Sequence, residues 1–240
     1  TEQLMKILHT ADWHLGQTFY EYDRREEHFH FLEWLKQQIK QHEIDVLLIA
    51  GDVFDSPNPS AESQRVYYRF LREVTSENPS LQIVIIAGNH DSAARLEAPN
   101  PLLEDMNIIV RGTVRRNAEG DIDLQHFIVP LYTEGKVTAY CLAVPYLRQG
   151  DYPSAENYSK GVQQLYEQLF NKVKEKGIPV VAMGHLQATG SEISEDDRSE
   201  RTVIGGLECV SPDAFNEAIT YTALGHLHRS QRVSHRENVR

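Results

Sequence analysis

Ile83-Val84-Ile85-Ile86-Ala87 is an apolar, largely β-branched run that stops abruptly in Gly88-Asn89-His90-Asp91. A short run of this kind reads as a buried strand, and its polar stop places chemistry at the strand's carboxyl end. That is where open α/β sheets keep their sites. The same device recurs along the chain. Lys6-Ile7-Leu8-His9-Thr10 leads into Asp12-Trp13-His14, and the apolar stretch 45–50 into Gly51-Asp52-Val53-Phe54-Asp55. The stretch 178–183 leads into Gly184-His185, and 219–224 into Gly225-His226-Leu227-His228. Side chains alternate along extended backbone, so Asp12 and His14 can point the same way.

Helical periodicity fills the intervals. Residues 24–42 carry Phe29, Leu32, Leu35 and Ile39 at spacings that form one face, and 15–23 read as a loop. Ser60 is a good N-cap for a helix over 60–77, with Val66, Phe70 and Val74 four apart. Residues 93–106 include a short helix broken near Pro99 and Pro101, followed by a strand over 107–110. A helix over 154–176 bears Val162, Leu165, Tyr166, Leu169 and Val173 and stops at Gly177. Residues 111–152 change character: β-prone pieces at 124–129 and 137–144 between turn-rich segments predict antiparallel strands. A further strand and turn are expected within 202–217, and the acidic, Ser-rich stretch 190–201 reads as a solvated loop.

A chain of 240 residues with 40% hydrophobic content can bury a real core, and no linker divides it. No apolar stretch approaches a membrane span and no signal segment is evident, which predicts a cytoplasmic protein without a membrane partner; residues 1–4 read as a leader or as a non-native remnant. Cys141 and Cys209 lack the paired spacing of a disulfide framework or thiolate zinc site. A net charge of -11 and a pI near 5.4 argue against gripping nucleic acid by charge alone. That argument weakens if several acids are metal ligands, because two divalent cations contribute about +4 where a phosphate docks.

One histidine after a strand is usually structural, and Gly-Asp after a strand is usually a turn. Five strands that all end in metal-type residues at one edge of a sheet are a different observation. Carboxylate, amide and imidazole without thiolate make a mixed oxygen and nitrogen set suited to Mn, Fe, Zn or Co. The candidates are too many for one ion and suit two ions sharing a carboxylate, the arrangement that promotes phosphoester hydrolysis.

Asp-x-His, Gly-Asp-x-x-Asp, Gly-Asn-His-Asp, Gly-His and Gly-His-x-His, in this order, resemble the calcineurin-like metallophosphoesterase superfamily. Within it, residues 12–17, 51–55, 87–92 and 223–228 look like the SbcD-type nuclease subunits of bacterial SbcCD complexes. The resemblance implies an α/β fold in which two mixed β-sheets pack as a sandwich flanked by α-helices. It implies that Asp12, His14 and His228 hold one ion, that Asn89, His185 and His226 hold a second, and that Asp52 bridges them. His90 would face the scissile phosphate as a catalytic residue rather than a ligand, with Asp91 fixing its orientation. Two divalent ions, manganese preferred, would serve exonuclease action on double-stranded DNA ends and endonuclease action on single strands and hairpins, in DNA repair and recombination. The implied partners are DNA, an SbcC-type coiled-coil ATPase and a second copy, met through helices near 60–77 and 93–106. The 240 residues are then expected to form one nuclease domain without the capping domain and ATPase-binding helices that such sequences continue into. The motifs alone leave open a phosphatase or other phosphoesterase of the same superfamily, or a non-catalytic scaffold. Arg111, Arg115, Arg116 and Arg148 could contact phosphates, though a solvated role is the simpler expectation for each.

Overall fold

The computed structural model describes residues 4–188, 209–228, 231–233 and 236–240. The acidic stretch 190–201 and residues 202–208 lie outside the described residues, as does most of the expected leader. In chain order the elements are β1 (Ile7–Thr10), β2 (Thr18–Phe19), β3 (Tyr22–Asp23), α1 (Arg25–Gln41), β4 (Val46–Ala50), α2 (Ala61–Glu77) and β5 (Gln82–Ile86). Next come α3 (Ala93–Glu97), α4 (Asn100–Leu103), β6 (Ile108–Arg111), α5 (Leu124–Phe127), β7 (Ile128–Thr133) and β8 (Lys136–Ala143). The chain continues through α6 (Tyr158–Val173), β9 (Val180–His185), β10 (Gln187–Ala188), β11 (Cys209–Val210) and β12 (Tyr221–Gly225).

Two four-stranded sheets carry the molecule, in the orders β1-β4-β5-β6 and β12-β9-β8-β7. The first is parallel throughout, and the second is parallel except for the β7-β8 pair. Alternation along each strand divides its side chains between two layers. Val46, Leu48, Ala50, Val84 and Ile86 face Leu131, Cys141, Ala143, Val181 and Met183 between the sheets. Leu47, Ile49, Ile83 and Ile85 face α1 and α2 on the outer side of the first sheet, and α6 covers the outer side of the second. The result is a helix-sheet-sheet-helix sandwich whose central strands are buried on both faces. Cutting a central Leu or Ile back to alanine would cost about 2–5 kcal/mol.

Three local expectations need correction. The loop at 15–23 contains a β2-β3 hairpin turning through Tyr20 and Glu21, both at positive φ. Without Gly or Asn at the tip, its sequence carries no hairpin signal. On α1 the buried face is His28, Leu32, Leu35 and Ile39, and Phe29 is 57% exposed. The i, i+4, i+7, i+11 series starts one residue earlier than the apolar residues suggest. Residues 124–127 form a helical turn before strand β7 instead of its beginning, because a short apolar run does not distinguish the two. Elsewhere the agreement is close: Ser60 caps α2 through Ser63 N, and Gly177 ends the α6 segment at φ +69°.

Candidate metal centre

β1, β4 and β5 run parallel in one sheet, and β9 and β12 in the other, so their carboxyl ends can form a common rim. Hydrogen bonds stitch the two sheets there. The loop after β1 runs beside the loop after β4, with Asp12 N donating to Gly51 O, His14 N to Asp52 O and Leu15 N to Val53 O. Across the sandwich, His226 N donates to both Asp12 carboxylate oxygens at 3.1 Å, and His185 Nδ1 to Ala50 O at 2.8 Å. Tyr146 N donates to Ala87 O, which fastens the segment after β8 to the end of β5.

The backbone is strained where these loops turn. Asp12, His14, Asp52 and His226 all have positive φ, at 56°, 48°, 50° and 103°. Non-glycine residues rarely adopt this region and cluster at functional sites when they do. Gly88 answers a different need: a Cβ there would collide with the Asp52 side chain and its backbone N.

All seven residues expected to bind metal converge at this rim, in two groups. In the first, His14 Nε2 lies 3.0 Å from His228 Nε2, and Asp12 offers a carboxylate oxygen within 4.8 Å of ligand atoms on both. In the second, Asn89 Oδ1 lies 2.9 Å from His185 Nε2 and 3.1 Å from His226 Nδ1. Asp52 stands between them, its Oδ2 3.6 Å from His14 Nε2 and 3.3 Å from His185 Nε2. That oxygen is buried and, among the described residues, has no hydrogen-bond partner.

Tautomers make this arrangement informative. A carbonyl can only accept, so His185 carries its proton on Nδ1 toward Ala50 O; in the neutral ring its Nε2 then turns a lone pair toward Asp52 Oδ2 and Asn89 Oδ1. His14 likewise directs Nδ1 to the Asp55 carboxylate at 3.1 Å, leaving Nε2 to face Asp52 and His228. Lone pairs converging on lone pairs are unfavourable unless a cation or a proton lies among them. The outward hydrogen bonds to a carbonyl and a carboxylate are the pattern that orients metal-binding imidazoles. The donor set therefore fits divalent cations.

Electrostatics point the same way. Burial alone lowers the pKa of His185 and raises that of Asp52, but their mutual attraction prevails and moves His185 up and Asp52 down. Burial pushes Asp12 up to about 6, helped by repulsion from Asp52. Half-buried Asp12 and fully buried Asp52 crowd each other unless a proton on His185 or a cation supplies positive charge.

His90 lies at the edge of the cluster. Its backbone N donates to Asp52 Oδ1 at 2.9 Å, and its Nδ1 donates to the Asp55 carbonyl at the same distance. Its ring meets that of His14 edge-on at 4.9 Å. Asp91 is arranged differently from expectation, since none of its hydrogen bonds goes to His90. Its carboxylate accepts from Gly88 N, Val53 N and Phe54 N and staples the loop after β5 to the loop after β4. Asp55 is the residue that sequence reasoning left without a role, although it closes the Gly-Asp-x-x-Asp motif. It holds His14 with its side chain and His90 with its carbonyl. Tyr146 was also missed, with its ring 6.3 Å from that of His185.

The sequence matches the family model described as calcineurin-like phosphoesterase over residues 5–230. It is 42% identical over 239 residues to a Rhodobacter capsulatus protein named as the SbcD subunit of the nuclease SbcCD, covering 95% of this chain and 58% of that one. Proteins of the same name match at 32% identity in Escherichia coli, over 98% of this chain and 59% of that one, and at 30% in Bacillus subtilis, over 95% and 58%. The chain thus spans about 58% to 59% of the length of these relatives.

Proposed function

Because the chain belongs to the calcineurin-like phosphoesterase family, we propose that it is the nuclease portion of an SbcCD-type assembly and hydrolyses phosphodiester bonds of DNA at the strand-end rim. The observation that carries this reading is the buried Asp52 Oδ2, which has no hydrogen-bond partner among the described residues and lies 3.6 Å from His14 Nε2 and 3.3 Å from His185 Nε2, one from each group. Asp12, His14 and His228 hold one cation, Asn89, His185 and His226 the other, and Asp52 serves both. Two divalent cations, when bound, supply a water of lowered pKa and neutralise charge on the phosphoryl group.

The remaining work falls to the protein. Asp55 fixes the His14 and His90 rings, and Asp91 holds the two loops in register. With His90 Nδ1–H held by the Asp55 carbonyl, Nε2 is the remaining ring nitrogen; in the doubly protonated imidazolium its N–H hydrogen-bonds the transition-state phosphate or passes its proton to the leaving oxygen, returning the ring to its neutral Nδ1–H form. Manganese is the preferred ion. Duplex ends are digested exonucleolytically, and single strands and hairpins are cut endonucleolytically. The partners are a coiled-coil ATPase of the SbcC type and a second copy, which docks through α2 and the α3-α4 region. No helix among the described residues is long and apolar enough to cross a membrane.

End-labelled duplex, hairpin and single-stranded DNA incubated with manganese, magnesium or a chelator test the reading. Metal-dependent cleavage supports it. Efficient hydrolysis of p-nitrophenyl phosphate with all three DNA substrates intact would replace it with a phosphatase. Absence of any hydrolysis and of manganese binding would leave only a scaffold.

A further inference from the structure

Among the four arginines of residues 111–160 that the sequence offers to phosphate, the structure distinguishes one. Arg111 is half-buried, its Nε donating to His126 O at 2.7 Å and a terminal nitrogen to Val110 O. Arg116 spends its guanidinium on the carbonyls of Gly120 and Gly150. Arg115 is exposed. Arg148 is exposed but placed. Its guanidinium carbon lies 5.8 Å from the centre of the Tyr146 ring, and that ring lies 6.3 Å from the ring of His185.

The segment that carries Arg148 is fixed at both ends. Tyr146 N is bonded to Ala87 O, directly before Gly88-Asn89. Arg148 N donates to the Asp151 carboxylate at 2.8 Å, while Asp151 N returns to Arg148 O at 3.0 Å, which closes a turn. The neighbouring carboxylate is thus engaged by backbone, and the guanidinium has no ion pair among the described residues. β8 lies parallel to β9, so this segment leaves the same rim as His185.

We propose that Arg148, placed over the Tyr146 ring, is a phosphate anchor for the DNA strand in the metal centre and grips a phosphate beside the scissile one. The proposal rests on the nuclease reading above. A guanidinium held over a ring by cation–π attraction keeps N–H groups for phosphate oxygens, in a planar fork that an ammonium does not reproduce. A DNA strand offers one phosphate per about 3.4 Å of axis, so a cation two contact steps from His185 falls opposite phosphates within a few nucleotides of the scissile bond. In a chain of net charge -11, an unneutralised cation held at the rim suits a polyanion that extends past the cations.

The test compares Arg148→Ala and Arg148→Lys with the parent, first for binding of a fluorescein-labelled hairpin to the His90→Ala protein with manganese. Arg148→Ala is expected to weaken binding roughly 10-fold or more. The slope of log affinity against log salt should shrink by about 0.7–0.9, the signature of one lost phosphate contact. Arg148→Lys restores the slope but only part of the affinity. In proteins retaining His90, Arg148→Ala should lower DNA cleavage far more than hydrolysis of bis(p-nitrophenyl) phosphate, which has no flanking phosphate. Unchanged affinity and slope would overturn the anchor, as would a parallel loss on both substrates. If the parent hydrolyses the small diester but leaves DNA intact, the nuclease reading itself fails.

Discussion

Asp55→Ala removes the acceptor of His14 Nδ1–H while leaving in place the backbone carbonyl that holds His90. The His14 side chain is 4% exposed, so its N–H cannot readily turn to water. An orphaned buried donor costs roughly 1–3 kcal/mol, or about 5- to 150-fold in an equilibrium constant. Loss of a partner that orients a ligating histidine typically weakens metal affinity roughly 10- to 100-fold, which agrees. The Asp55 side chain is 34% exposed, so entering water replaces part of the lost acceptor and sets the expectation near the lower end, about 10-fold. The loss should fall on the ion held by His14, and the ion held by His185 should keep its affinity. Asp55→Asn retains an oxygen acceptor and should recover most of the binding. Calorimetric titration of manganese into chelator-stripped protein, fitted to two sites, reads these values. Unchanged binding at both sites would refute the orienting role, and equal weakening at both would refute the division into two groups.

His90→Ala should retain both cations and lose DNA hydrolysis; a matching fall in metal occupancy would make His90 a ligand. His185→Ala should weaken the ion shared with Asn89 and His226 by roughly 10- to 100-fold, and anomalous scattering showing equal loss from both positions would contradict it. Asp91→Ala orphans three backbone N–H groups and should destabilise the fold by on the order of 3 kcal/mol or more, read as a lower urea midpoint; an unchanged midpoint would refute the staple. Glu97 would be raised by burial, but hydrogen bonds from Gly112 and Thr113 and the nearby His126 bring its pKa down to about 2 from 4.5. Its folded value is depressed, so its stabilisation, on the order of 3 kcal/mol, is present above pH 4.5 and lost as pH falls toward 2. The Glu97→Gln variant should show a flatter dependence of stability on pH across that window, and an identical dependence would rule the linkage out.

The convergence of the seven candidate ligands was legible because each of them follows an apolar run whose strand character is unambiguous, and because parallel strands present their ends at one edge. Val46–Ala50 and Gln82–Ile86 announce themselves by composition, and Asp52 and Asn89 are read off their ends. Asp55 could not be given its role in the same way. Its two bonds go to residues 41 and 35 positions away, and one of them uses its carbonyl, which any residue type would supply. Asp91 was misassigned because adjacency to His90 suggested a partnership, whereas its carboxylate turns back to the loop after β4. Tyr146 was missed, and Arg148 could not be told from Arg111, Arg115 and Arg116, because β8 joins β9 through a parallel pairing across α6, so the segment after it reads in sequence as an ordinary turn. Phe29 shows the limit of composition on a helix face: the position that points inward belongs to His28, and the larger apolar side chain points out.

The central claim is that two cations occupy the rim and share Asp52. Anomalous scattering from a crystal of the protein grown with manganese measures this directly. The account predicts two peaks roughly 3.5–4 Å apart, one beside His14 and His228, the other beside Asn89, His185 and His226, with an Asp52 carboxylate oxygen reaching both. A single peak, or a second one that Asp52 does not touch, would contradict it.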